Sequence, residues 1–232
     1  MGIRDYQLVD RFVTLFRVRE SLSHPAQEID RDFTQPFITI AREPGSGGAP
    51  IAQAVAQKLG FTCVDEQLID EVARSTKQRK ELIRAIDEKS RTYVEDIVQS
   101  LLNPDYVDDV KYLTELTKVI LAYALKGKVV IVGRGSNFLT PFGKGLHVNI
   151  TAPYDLRVQR AMDYEGFSRK MAESVIAKVE KERKDFVKQY FSKDSSKINS
   201  YDLTLNTSLF TLEHSRDLII EAFGHKFSSY KP

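Results

Sequence analysis

The sequence predicts a doubly wound α/β fold: a mostly parallel, five-stranded sheet covered by helices, with an added N-terminal helix. Three observations carry that expectation. Short β-rich runs alternate with helical-period segments from residue 37 onward. The run Val129-Val130-Ile131-Val132 is apolar at successive positions, as in a parallel strand covered on both faces. Three polar or glycine-rich turns, at 42–48, 65–66 and 133–137, follow strand candidates, where sheets of this kind bind ligands.

In chain order, residues 5–23 read as a helix. Leu8, Val9, Phe12, Val13 and Phe16 recur at helical spacing with Asp10, Arg11 and Arg17 between them. Packing on the main domain is the simplest use of that stripe. A subunit interface, and so a homo-oligomer formed through this helix, is the sharper one. Residues 24–36 form a connector. The expected organisation is an extension over 1–35 and one domain over 36–232.

Phe37-Ile38-Thr39-Ile40 is the first strand, followed by Arg42-Glu43-Pro44-Gly45-Ser46-Gly47-Gly48. A helix runs from about Pro50 to Leu59, since proline costs little in a first turn and Gly60 supplies a stop. Phe61-Thr62-Cys63-Val64 is the second strand, and Asp65-Glu66 opens a helix reaching about Ala73. Residues 76–126 are helical in pattern with a break at Asn103-Pro104. The piece 111–125 carries Leu113, Leu116, Ile120, Leu121 and Leu125. The strand at 129–132 ends in Gly133-Arg134-Gly135-Ser136. Leu146–Ile150 and Leu203–Asn206 are the remaining strands. Helices are expected at about 153–163, 168–190 and 211–227.

Composition narrows the function classes. The 232 residues are 42% hydrophobic and 28% charged, and 34 basic against 32 acidic residues leave a net charge of +2. That balance gives no reason to expect nucleic-acid binding. The single cysteine, Cys63, allows no internal disulfide and fits a reducing, cytoplasmic setting. With four histidines besides, a structural zinc site has too few ligands, and no metal-binding residues are assigned. The start has no basic region leading into an apolar core, so no signal peptide is read there, and no stretch is apolar for long enough to span a bilayer.

The segment 38–51 is the most informative. A glycine-rich turn between a strand and a helix can aim several amides at one anion, with the field of the helix N-terminus added. Gly45, Ser46, Gly47 and Gly48 are the expected donors. A tight structural turn with no ligand is the plain alternative. The pattern lacks the Gly-Lys-Ser/Thr ending of the usual phosphate loop. If Gly47 is the last motif glycine, Gly48 stands at the lysine position, and Ala49 or Pro50 at the hydroxyl position that would hold magnesium. Arg42, at the mouth of the loop, could meet phosphate oxygens in a forked contact or pair with a carboxylate.

Taken in order, Ile-Ala-Arg-Glu-Pro-Gly-Ser-Gly-Gly (40–48), Ala-Gln-Lys-Leu-Gly (56–60), Val-Asp-Glu-Gln-Leu-Ile (64–69), Val-Gly-Arg-Gly-Ser-Asn-Phe (132–138), Glu-Lys-Glu-Arg (180–183) and Tyr-Asp-Leu-Thr-Leu-Asn-Thr (201–207) give the chain a likeness. It resembles the cytidylate kinase-like proteins, relatives of the bacterial cytidylate kinases, over roughly residues 36–228. The resemblance implies a P-loop nucleoside monophosphate kinase fold, with a helical acceptor region at about 65–126 and a lid at about 157–192. It implies phosphoryl transfer from ATP, with Mg2+, to a nucleoside monophosphate such as CMP. By that likeness Pro44, Gly45, Ser46, Gly47 and Gly48 cradle the donor phosphates, Arg134 holds the acceptor phosphate, and Asp65 opens the acceptor region. Arg157, Arg160 and Arg183 fall in or beside the lid, and with Arg42 they form the expected catalytic set.

Two departures stand out. Ala49 replaces even the arginine of the kinase-like group's Gly-Gly-Arg-Glu, and Gly135 stands where true cytidylate kinases have the aspartate of Gly-Arg-Asp. A nucleotide-binding regulatory protein without efficient transfer, and a small-molecule kinase with a non-nucleotide acceptor, therefore stay open beside the nucleotide kinase. Arg134 has a case independent of the likeness. An arginine between two glycines directly after a buried-type strand points to the ligand edge of the sheet, with an internal salt bridge as the other reading.

Overall fold

The computed structural model describes residues 33–85, 94, 107–191 and 193–230. The expected helix over 5–23, most of the connector and the break at Asn103-Pro104 lie outside the described residues.

Five strands form one parallel sheet: β1 Phe37–Arg42, β2 Thr62–Val64, β3 Val129–Val132, β4 Gly145–Thr151 and β5 Leu203–Asn206. Their spatial order is β2-β3-β1-β4-β5. Register pairs Ile40 with Val132, Arg42 with Ile150, Val64 with Ile131 and Thr151 with Asn206. The chain reverses direction across β1, with β3 on one side and β4 on the other, so the carboxyl end of β1 opens at the switch point where such sheets hold ligands.

Alternation along the strands splits the interior in two. Phe37, Val129 and Ile131 face a core with Ile69, Leu116, Ile120, Phe138 and Phe191. Ile38, Ile40, Val130 and Val132 face a second core with Ile51, Val55, Ile219 and Phe223. Both faces are covered by apolar side chains, which is why the central strand β3 reads as an unbroken hydrophobic run. Fully burying each isoleucine or valine contributes about 1.5–3 kcal/mol. The two cores together therefore fix the sheet and the positions of its ends.

Nine helices among the described residues cover the sheet: α1 Gly48–Leu59, α2 Glu66–Arg74, α3 Thr76–Arg84, α4 Val107–Lys126, α5 Ser136–Leu139, α6 Tyr154–Glu165, α7 Arg169–Phe191, a 3-10 turn at Ile198–Ser200, and α8 Leu212–Lys226. Gly60 closes α1 in the left-handed conformation, its amide donating to Ala56 O and Gln57 O. Two elements, α5 and the 3-10 turn, were not legible in the periodicity because each is a single turn. Helices α6 and α7 form a hairpin with a small core of its own, Val158, Ala172 and Ile176.

Candidate functional site: a glycine loop beside an arginine-lined cavity

The loop between β1 and α1 is held from behind. Arg157 is buried on α6, its Nε donating to Ala152 O at 3.1 Å and its Nη1 reaching Pro44 O at 3.5 Å and Glu180 Oε2 at 3.1 Å. Arg160, one turn on, donates from Nη1 to Ser46 O at 3.1 Å and to Thr207 Oγ1 at 2.9 Å, and from Nη2 to Thr207 O at 3.0 Å. The Thr207 hydroxyl donates to Ser46 O at 2.7 Å. Because a trans peptide points its C=O and N–H in opposite directions, tying down the Pro44 and Ser46 carbonyls turns the Gly45 and Gly47 amides the other way. Gly45 has φ +77°, and a Cβ there would stand 2.8 Å from Arg157 O, so only glycine fits.

The four expected amide donors are not equivalent. The Ser46 amide and hydroxyl both go to Glu43 O, at 3.2 and 2.8 Å, and the side chain is fully buried. Ser46 shapes the turn. The amides of Gly45, Gly47 and Gly48 donate to no acceptor among the described residues. No side chain caps α1, in contrast to α2, where Asp65 accepts from Leu68 N at 2.9 Å, and α8, where Thr211 accepts from His214 N at 3.2 Å. An amide set left unpaired at a helix start suits an anion.

Next to the loop lies a cavity of about 300 Å³ at the carboxyl ends of β1, β3 and β4, walled by α7 and the 195–201 segment. Four cationic residues line it, Arg42, Arg134, Arg183 and Lys184, against three acidic ones, Glu43, Glu66 and Glu180. Asn137, Asn149, Thr151 and Thr204 add polar groups, and Phe138, Phe186, Val187, Ile198 and Tyr201 an apolar wall.

Two carboxylates on one face of α2, four residues apart, organise the arginines. Glu66 Oε1 bridges Arg42 Nη2 at 2.8 Å and Arg183 Nη2 at 3.1 Å. Burial alone would raise the Glu66 pKa, but Arg42 and Arg183 outweigh it and hold the carboxyl below its ordinary range. Arg42 is pushed down, first by burial and then by Arg183. Asp70 receives a fork from Arg134, Nε to Oδ1 at 2.8 Å and Nη2 to Oδ2 at 2.5 Å. Those bonds raise the Arg134 pKa against its burial. Tyr112 donates to Asp70 Oδ1 at 2.8 Å, and burial followed by that bond pushes the phenol up to about 12. Arg134 has φ +49° and lies 5.2 Å from the Phe186 ring centroid.

Each residue singled out in the sequence thus has a definite place. Arg42, Pro44, Arg134 and Arg183 line the cavity. Gly45, Gly47 and Gly48 follow Pro44 in the loop but are not among the residues that line the cavity. Arg157 and Arg160 stand behind the loop and fix its shape. Asp65 is the exposed cap of α2, and the carboxylates one and five positions on are the ones engaged with the arginines. Glu66, Asp70, Tyr112, Glu180 and Lys184 were missed. The spacing of Glu66 and Asp70 was a usable signal, because positions i and i+4 of a helix share a face.

The structure also explains the two departures from the resembling motifs. A Cβ on Gly48 would lie 2.5 Å from Arg42 Cβ and 2.9 Å from its Cγ, so the Arg42 stem occupies the room that a loop lysine would need. At Gly135, with φ +63°, a Cβ would stand 2.3 Å from Phe191 Cε2, which closes the place of an aspartate side chain. The donor set does not suit a protein-held magnesium ion. Ser46 Oγ is spent on Glu43 O, Ala49 and Pro50 have no hydroxyl, Glu66 and Glu180 are each held by two cations, and Glu43 accepts from Ala152 N at 3.1 Å. No metal-ligating group of three or more His, Cys, Asp or Glu occurs among the described residues. No helix among them is long and apolar enough to cross a membrane.

A parallel sheet of order 2-3-1-4-5 with a glycine loop joining its central strand to the following helix defines the P-loop kinase class of fold. Residues 37–209 match the cytidylate kinase-like family, and the chain belongs to it. It is 26% identical over 191 residues to a cytidylate kinase of Sulfolobus acidocaldarius, covering 82% of this chain and 94% of that protein. It is 28% identical over 117 residues to a uronate isomerase of Corynebacterium glutamicum, covering 50% of this chain and 23% of that protein's length. An uncharacterized protein from Eubacterium ventriosum has the same fold, with a TM-score of 0.65 at 24% identity over 83% of this chain and 99% of that one.

Proposed function

We propose that this protein transfers the terminal phosphoryl group of ATP to a nucleoside monophosphate, with a CMP-like acceptor as first candidate. The observation that carries the reading is a glycine loop whose Gly45, Gly47 and Gly48 amides have no acceptor among the described residues, continuous through Pro44 with a cavity lined by four cationic side chains. Family membership and the likeness to the Sulfolobus cytidylate kinase support it. The donor phosphates lie along the amides, and Arg42 and Arg183 meet the oxygens that gain charge as the group moves. Arg134, held by Asp70, offers its remaining Nη1 protons to the acceptor phosphate. The bond from the terminal phosphorus to the bridging oxygen of ATP breaks, a bond from an acceptor phosphate oxygen forms, and ADP leaves. Positioning and positive charge are most of what such a transfer asks of a protein.

The cavity favours a phosphate over a hydroxyl as the attacking group. A phosphate monoester is already ionised at neutral pH, so it needs no base. A hydroxyl acceptor would need one, and each cavity carboxylate is already engaged by cations or an amide. The missing loop lysine supports one other reading, a protein that binds nucleotide without efficient transfer. The two separate in a coupled ADP-release assay with each nucleoside monophosphate in turn, using ATP with magnesium as its ordinary counter-ion. Acceptor-stimulated ADP release supports transfer. Nucleotide binding by calorimetry with no stimulation by any acceptor supports the second reading and removes the first.

A further inference from the structure

We propose that Lys184, on α7, is the donor-phosphate cation that stands in for the absent loop lysine; this rests on the kinase reading above. Four observations lead to it. The loop has no cation of its own, and Arg42 fills the space where one would sit. Lys184 lines the same cavity as Arg42, Glu43 and Pro44 at the mouth of the glycine loop. Among the four cationic residues lining that cavity it has the most exposed side chain, 57% against 28% for Arg183, 25% for Arg134 and 9% for Arg42. Its ion pair among the described residues is the i,i+4 contact with Glu180 Oε1 at 2.6 Å, whose lysine end is open to solvent, and pairs of that kind are weak.

The arginines are committed in a way that Lys184 is not. Arg42 and Arg183 share Glu66, Arg183 also donates to Arg42 O at 3.3 Å, and Arg134 is forked on Asp70. Arg42 and Arg183 are tied both to Glu66 and to each other, and moving Arg134 leaves Asp70 with the Tyr112 hydroxyl alone. When Lys184 swings away, Glu180 keeps Arg157 Nη1 on its other oxygen at 3.1 Å, so no charge is left alone. Lysine also suits the task, as a compact ammonium on a flexible four-carbon stem. Position on the helix separates it from its neighbours. Glu180, Arg183, Lys184 and Val187 form one cavity-facing stripe, whereas Lys178 and Lys181 are 75% and 77% exposed and pair with Glu182 and Asp185.

The test is calorimetric binding of ATP and of ADP to the full chain and to Lys184→Ala, Lys184→Arg and the control Lys178→Ala, with melting curves for each. The expected result is a loss of about tenfold or more in ATP affinity for Lys184→Ala, with a smaller loss for ADP. Lys184→Arg stays close to the parent, Lys178→Ala matches it, and melting temperatures are nearly unchanged. Equal weakening of ATP and ADP, or no weakening, overturns the role of Lys184 while the kinase reading stands. A parent protein that binds no ATP overturns both.

Discussion

Replacing Glu66 by Gln tests the central electrostatic claim, that one carboxylate holds two cavity arginines in place. Glu66 Oε1 lies 2.8 Å from Arg42 and 3.1 Å from Arg183, and the Arg42 side chain is almost wholly buried. Removing one partner of a fully buried pair costs about 3–5 kcal/mol, because the other charge is left uncompensated. Glu66 and Arg183 keep some contact with solvent, which screens part of that loss. The expected destabilisation is therefore about 2–3 kcal/mol in urea unfolding followed by circular dichroism, or roughly 5–10 °C in melting temperature for a domain of this size. Pyrophosphate should restore much of the loss, and stabilise the variant more than the parent, since a bound anion replaces the missing charge. The effect also has a pH signature. The Glu66 carboxyl is held below its ordinary value of 4.5, so its contribution is complete above that pH. It drains away as pH falls toward the depressed folded value, and the gap between parent and variant closes in acid. A destabilisation of less than about 0.5 kcal/mol at neutral pH, or equal stabilisation of both proteins by pyrophosphate, would refute the reasoning.

Other substitutions probe the remaining contacts. Gly48→Lys, which writes the usual lysine back into the loop, should lower stability by about 1–3 kcal/mol and leave ATP affinity no better, because its stem meets Arg42; tighter ATP binding in calorimetry would count against the steric account. Gly135→Ala drives a methyl into the Phe191 ring at a left-handed φ and should cost about 2–4 kcal/mol in urea unfolding, much of it recovered in the double variant with Phe191→Ala. Asp70→Asn should lower the Tyr112 phenol from about 12 toward its ordinary value, read as an earlier ultraviolet transition in alkaline titration that Tyr112→Phe abolishes. Arg157→Ala removes the tie between Pro44, Ala152 and Glu180 from a buried position and should cost about 3 kcal/mol; an unchanged unfolding midpoint would mean the loop does not depend on that support.

Local chemistry determined much of this protein in advance. The β-rich runs at 37–40, 129–132 and 146–150, the glycine at 60 and the loop at 45–48 each carry a signal within a few residues. Strand and helix placement, the parallel sheet and the glycine-rich turn between the first strand and the first helix therefore followed from the sequence. Arg134 too was legible, because a glycine on either side of an arginine after a buried strand fixes where its backbone lies. What that arginine touches was not legible, since Asp70 is 64 positions away in the chain and reaches it only through packing of α2 against the sheet. The same holds for Glu66 with Arg183, 117 positions apart, and for Arg160 with Ser46, 114 apart. Helix α7 reads as a solvated run of alternating charges, yet one stripe of it forms a cavity wall. Only the tertiary structure decided which arginines line the cavity and which brace the loop, because charge is a property of a residue and its role is set by the partners that folding brings within a few ångströms.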